Sequence, residues 1–136
     1  MENAQYEKKV MKRFFNPKYA GEIKNPSAVG QVGNAACGDI MRVFIKVEAD
    51  KKTKKEKIKD IKFKTMGCVA AIASSDAVCE IAKGKTISDA KKITKKDILK
   101  KVGKLPQIKH HCSILGEEAL LKAIENYELR TKLHKA

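Results

Sequence analysis

The sequence predicts an α+β fold: a small three-stranded antiparallel sheet packed against several α-helices, in a single domain over residues 1–136. Two regions of period-two alternation flank a polar turn in the first half, which is the pattern of a hairpin. After Gly67 the periodicity becomes helical and stays so. A chain of 136 residues with 43% hydrophobic content suits one domain with a real core. Strands early and helices late give α+β.

Residues 3–15 place Tyr6, Val10, Met11 and Phe14 at helical spacing, and Asn16-Pro17 ends the pattern. The loop that follows, "GEIKNPSAVGQVGNAACGD", carries four glycines before Asp39, and its middle suits a short edge strand around Val29 to Val32. From Met41 the alternation is clean. Met41, Val43, Ile45 and Val47 share one face, and Arg42, Phe44, Lys46 and Glu48 the other.

The turn "EADKKTKKEK" leads to a second hairpin strand with Ile61, Phe63 and Thr65 on one face. Ile58 is out of phase with them, so a bulge or a late strand start is expected near Asp60. A helix is expected from Cys68 to a Gly84 suited to end it. Two short helical stretches follow: "TISDAKK", capped by Ser88 or Thr86, and "TKKDILKKVG", where Thr94 and Asp97 have capping-box spacing. "LPQIKHHC" reads as an extended connector. The last helix is expected from about Ser113 to Leu133, with Leu120, Ile124 and Tyr127 along one stripe.

No apolar run approaches the ~20 residues of a membrane helix, so no membrane partner is expected. The charged N-terminus lacks a signal-peptide pattern, which predicts a cytoplasmic chain. In that reducing setting four cysteines suggest thiolate chemistry or metal binding rather than disulfides. The net charge of +14 raises nucleic-acid binding as an alternative. Against it, the lysines are spread over every segment and aromatics are only 5%, so a solubilising surface is the simpler account.

Three cysteines fall at element boundaries: Cys37 in the "ACGD" turn, Cys68 where strand becomes helix, and Cys112 where the connector becomes the final helix. Helix N-termini offer free N–H groups and a positive dipole end, which favour thiolates at Cys68 and Cys112. Gly38 and Gly67 leave room beside two of the sulfurs. Asp39 and His111 add oxygen and nitrogen donors, so three thiolates plus a carboxylate or imidazole make a tetrahedral set suited to zinc or to cluster iron.

The spacings match no zinc-finger pattern, and each residue has a plainer reading. A boundary cysteine is commonly structural, Asp39 can satisfy turn N–H groups, and His110 or His111 can be solvated. Cys79, three helical turns beyond Cys68, lies ~16 Å further along a continuous helix. It reads as a buried packing residue, and His134 as surface.

The stretches "ACGD", "FKTMGCVAAIASSDAV", "KGKT" and "HHCSILGEEAL" resemble the iron–sulfur cluster assembly scaffolds of the IscU/NifU N-terminal type, from "FFNPKYAG" to "AIENY". The resemblance implies that Cys37, Cys68 and Cys112 are the cluster and persulfide cysteines. It further implies that Asp39 is the aspartate of the Cys-Gly-Asp motif and His111 the histidine before the last cysteine. It implies a scaffold rather than an enzyme. Such a protein accepts sulfur from a cysteine desulfurase and iron from an iron donor, builds a transient [2Fe–2S] cluster and passes it to acceptor apo-proteins. Permanent zinc in the same site is the alternative, and a homo-oligomer is compatible with the family.

Three departures stand out. Val69-Ala70 follows Cys68 where the family has Gly-Ser, and Cys79 occupies a position that is usually not cysteine. Leu105-Pro106-Gln107-Ile108-Lys109 lacks the second proline of the chaperone-recognised segment, which argues against an Hsp70-type chaperone partner.

Overall fold

Met41, Val43 and Ile45 are at most 1% exposed, which is what strict alternation against a core requires. They belong to β2 (Asp39–Ala49), the middle strand of an antiparallel sheet ordered β1-β2-β3, with β1 Ala28–Asn34 and β3 Glu56–Met66. The computed structural model describes residues 6–34 and 38–135. The described helices are α1 (Lys8–Phe15), α2 (Val69–Ala82), α3 (Ile87–Ala90), α4 (Lys95–Val102) and α5 (His111–Lys135). The fold is the expected α+β arrangement.

The misfit of Ile58 is a bulge. Lys46 faces Asp60, but the next residue, Val47, faces Ile58, so Lys59 has no partner across the ladder. The extra residue restores phase, and Ile58 and Ile61 both point into the core with no exposure. Past the bulge, Ile58 is held on its far side by the chain after α2: its N–H donates to Lys85 O at 2.9 Å, and Gly84 N–H donates to Ile58 O at 2.8 Å.

The outer edge of β3 is covered as well. Phe63 N–H donates to Tyr19 O, and Gly21 N–H to Phe63 O. A segment of the loop after α1 thereby closes an edge that would otherwise be open to other chains.

α2 is the central helix, and ten of its fourteen residues are buried. A helix apolar or small all round has no solvent face to offer. It lies against α1, α4, α5 and β3. Its one buried carboxylate is fully engaged. Asp76 accepts from Arg13 Nη1 at 2.8 Å and from the Tyr19 N–H at 2.9 Å, which ties α1 and the edge segment to α2. Burying a charge requires this pairing.

α5 crosses β1 and β2 and approaches β1 closely. A Cβ on Gly30 would lie 2.3 Å from Ala123 N and 2.4 Å from Ala119 O, so glycine is what permits this contact. Leu120 and Ile124 line the buried stripe as expected, while Tyr127 is only partly buried.

Two boundaries differ from the sequence reading. Gln107–Lys109 form a turn of 3-10 helix rather than an extended connector. α5 begins at His111 rather than Ser113. Ser113 anchors this start, with Oγ donating to His110 O at 2.7 Å. The caps of the short helices came out as Thr86 for α3 and a Thr94–Asp97 capping box for α4.

Candidate functional site

Asp39 opens β2, Cys68 is the N-cap of α2 just beyond the end of β3, and His111 and Cys112 open α5. Ile40 pairs with Met66, so the start of β2 and the end of β3 lie side by side. Both long helices therefore open at one end of the sheet, and four donors from three distant stretches meet there. Cys68 Sγ is 4.0 Å from Cys112 Sγ, Cys112 Sγ is 3.7 Å from His111 Nε2, and His111 Nε2 is 3.5 Å from Asp39 Oδ2.

Each donor touches the next, forming a row rather than a cage. Among the described residues no three His, Cys, Asp or Glu side chains are gathered tightly enough to hold a metal ion as they stand. Cys37 lies outside the described residues.

Local contacts set the orientation of each group. His111 Nδ1 donates to Ile108 O at 2.9 Å, which leaves Nε2 as the nitrogen facing Asp39 and Cys112. A ring nitrogen fixed on a backbone carbonyl is the usual support for a histidine whose other nitrogen meets a metal. The 3-10 turn supplies that carbonyl.

Asp39 is held over Gly67. A Cβ there would stand 2.5 Å from Asp39 Oδ1 and 3.0 Å from Ala71 Cβ. The bare Cα thus makes room for the carboxylate, a role the sequence did not reveal.

The two thiols share one proton unequally. Cys68 and Cys112 are in hydrogen-bond contact, and this contact is the main reason the Cys68 pKa falls to about 5. Burial opposes the shift, while the Ala71 amide, the Lys109 charge and the Ala70 amide add to it. Cys112 is pushed up by its bond to Cys68, by its burial and by the negative charges of Cys68 and Asp39. The lowered pKa of Cys68 fits the thiolate expected there, while at Cys112 the negative sulfur 4.0 Å away works against a second thiolate.

The other candidates stand apart. Cys79 is fully buried inside α2, and burial raises its pKa. His110 turns away, with Nε2 near Leu105 O at 3.2 Å. Around the donors, Met66, Ile108 and Ile114 are exposed apolar side chains.

Chemically the group combines soft sulfur, borderline nitrogen and hard oxygen. That set suits zinc or the iron of a cluster, and oxygen ligation makes an iron site more exchangeable than four thiolates would.

Comparison with known proteins agrees with this chemistry. Residues 5–134 match the family described as NifU-like N terminal domain. The chain is 48% identical over 122 residues to iron-sulfur cluster assembly scaffold protein IscU 1 of Archaeoglobus fulgidus, covering 90% of this chain and 76% of that protein. It is 43% identical over 126 residues to the scaffold protein IscU of Aquifex aeolicus, covering 93% and 78%. The N-terminal part of a nitrogen-fixing NifU-like protein from Brucella abortus has the same fold, with a TM-score of 0.65 at 19% identity over 94% of this chain and 97% of that one. The chain belongs to the IscU/NifU N-terminal family of iron–sulfur cluster assembly scaffolds, which carry clusters rather than catalyse turnover of a small substrate.

Proposed function

We propose that this scaffold builds a transient [2Fe–2S] cluster on Cys37, Cys68 and Cys112, with Asp39 and His111 as the oxygen and nitrogen partners. Sulfur comes from a cysteine desulfurase and iron from an iron donor, and the finished cluster passes to acceptor apo-proteins. The observation that carries the reading is the meeting of Asp39, Cys68, His111 and Cys112 at the shared opening of α2 and α5. Cys37 stands two residues before Asp39 in the chain. The cluster is cargo, so a site of contacting but uncaged donors suits a protein that must give its product away.

Anaerobic reconstitution with a desulfurase, iron and cysteine tests the proposal, read by visible absorbance and by iron and sulfide content. A coloured protein with iron and sulfide in equal amounts is expected. Serine at Cys37, Cys68 or Cys112 should abolish it, and Cys79→Ala should not. A colourless product that retains zinc through the same procedure would favour the second reading, permanent zinc on these donors, because Zn²⁺ is d¹⁰.

A further inference from the structure

Cys68 and Cys112 are free cysteines whose sulfurs are in contact at 4.0 Å, and they differ in access. Cys112 is fully buried, while Cys68 is half-buried at the opening of α2. A disulfide needs ~2.05 Å between sulfurs, so the pair must close by ~2 Å. That motion can fall on Cys68. It stands outside the helix with an extended backbone (φ −79°, ψ 177°) and follows Gly67. Cys112 lies within the first turn of α5 and is held by the helix behind it. An accessible thiol in front of a buried one is the arrangement of a sensing cysteine with its resolving partner.

We propose that Cys68 and Cys112 form a reversible disulfide on exposure to a peroxide. The Cys68 sulfur attacks the peroxide: an S–O bond forms, the O–O bond breaks, and hydroxide leaves and takes up a proton as water. The Cys112 sulfur then attacks the Cys68 sulfenic acid. The S–S bond forms, the S–O bond breaks, and the Cys112 proton leaves with the hydroxyl as a second water. Two thiols are oxidised and one peroxide is reduced. Cys79 takes no part, because it lies inside α2 three turns further on and is fully buried. The consequence for loading rests on the proposed function: the oxidised chain has lost two of its sulfur donors and accepts no cluster until a thiol reductant reopens the pair.

The 136-residue protein is stripped of metal, desalted and treated with hydrogen peroxide. Remaining thiols are alkylated, and the digest is mapped by mass spectrometry without reduction. The expected result is a linked peptide joining Cys68 to Cys112, present in wild type and in Cys37→Ser and reversed by dithiothreitol. Cys112→Ala should divert Cys68 to sulfinic acid. If that variant does not fold, the wild-type and Cys37→Ser maps decide alone. Cys68 recovered as sulfinic acid beside an alkylated Cys112, or linked to Cys37, would overturn the proposal. Oxidised protein should also lose cluster yield in reconstitution and regain it on reduction. Failure to load even when reduced, with the disulfide mapped as expected, would reject the scaffold site and leave the thiol pair standing. Normal loading with no disulfide would do the reverse.

Discussion

Cys68 owes its charge to a neighbour rather than to its helix alone, and that makes its reactivity a measure of the site. Alkylation proceeds through the thiolate, so its rate rises as pH passes upward through the pKa and is then level. With the Cys68 pKa at about 5, the rate at this residue should be level across the neutral range, whereas an ordinary thiol would still be climbing. Peptide mapping after timed iodoacetamide pulses reads Cys68 by itself. Cys112→Ala removes the sulfur contact that lowers the Cys68 pKa and should shift the midpoint upward. A wild-type midpoint in the ordinary thiol range would show that the Cys112 contact does not hold in solution. Gly67 gives a second prediction at this scale. A methyl group there meets the tip of the Asp39 side chain at 2.5 Å, and a carboxylate end can swing aside. Ala71 Cβ at 3.0 Å belongs to the buried helix α2 and cannot swing aside. Gly67→Ala should therefore cost about 1–3 kcal/mol of stability, the usual range for added core volume, and also disturb the Asp39–His111 contact and lower cluster yield. Denaturant melts and reconstitution on the same sample separate the two effects. Loss of stability with normal yield would mean that Asp39 has no part in assembly.

Among the elements, α2 decides how much else can move, because α1, α4, α5 and β3 all rest on it. Asp76 is its one buried charge, with a side chain 3% exposed, and Arg13 opposite is 15% exposed. Removing one member of such a pair leaves the other uncompensated, at 3–5 kcal/mol in general. Here Glu80 still meets Arg13 at 3.2 Å, so Asp76→Ala should cost about 3 kcal/mol, the lower end of that range. Urea unfolding measures it. A cost under ~1 kcal/mol, the size of an exposed pair, would mean that Arg13 relaxes into solvent. Elements were legible from the sequence where one periodicity ruled: both hairpin strands, the bulge implied by Ile58, and the Thr94–Asp97 cap. What escaped was set by contacts distant in sequence. The 3-10 turn at Gln107–Lys109 places the Ile108 carbonyl under His111, and no local pattern announces it. The Arg13–Asp76 tie spans 63 residues. That Asp39, Cys68, His111 and Cys112 belong together was legible only through family motifs, since their spacing matches no metal pattern. Their protonation was not, because it depends on two sulfurs meeting across 44 residues.

For the whole molecule the dominant fact is a charge of +14, from 30 cationic and 16 acidic side chains. Two effects of salt oppose each other on such a chain. Added salt weakens favourable ion pairs, and it also screens the self-repulsion of the excess lysines. The favourable pairs are mostly weak ones. Lys59–Glu48, Lys64–Glu22 and Lys91–Glu128 have both side chains about half exposed or more, and solvent screening leaves pairs of that kind contributing little. The better-buried Arg13–Asp76 pair is shielded from ions and changes little. Repulsion, by contrast, sums over many charges at distances comparable to the ~10 Å screening length of ~0.1 M salt. Screening should win. Thermal melts of metal-free, reduced protein in rising sodium chloride should show Tm increasing from low ionic strength and levelling near physiological salt, where the screening length is ~8 Å. A Tm that falls over the same range would mean that the surface pairs outweigh the excess charge, and that the lysine-rich surface contributes stability rather than costing it.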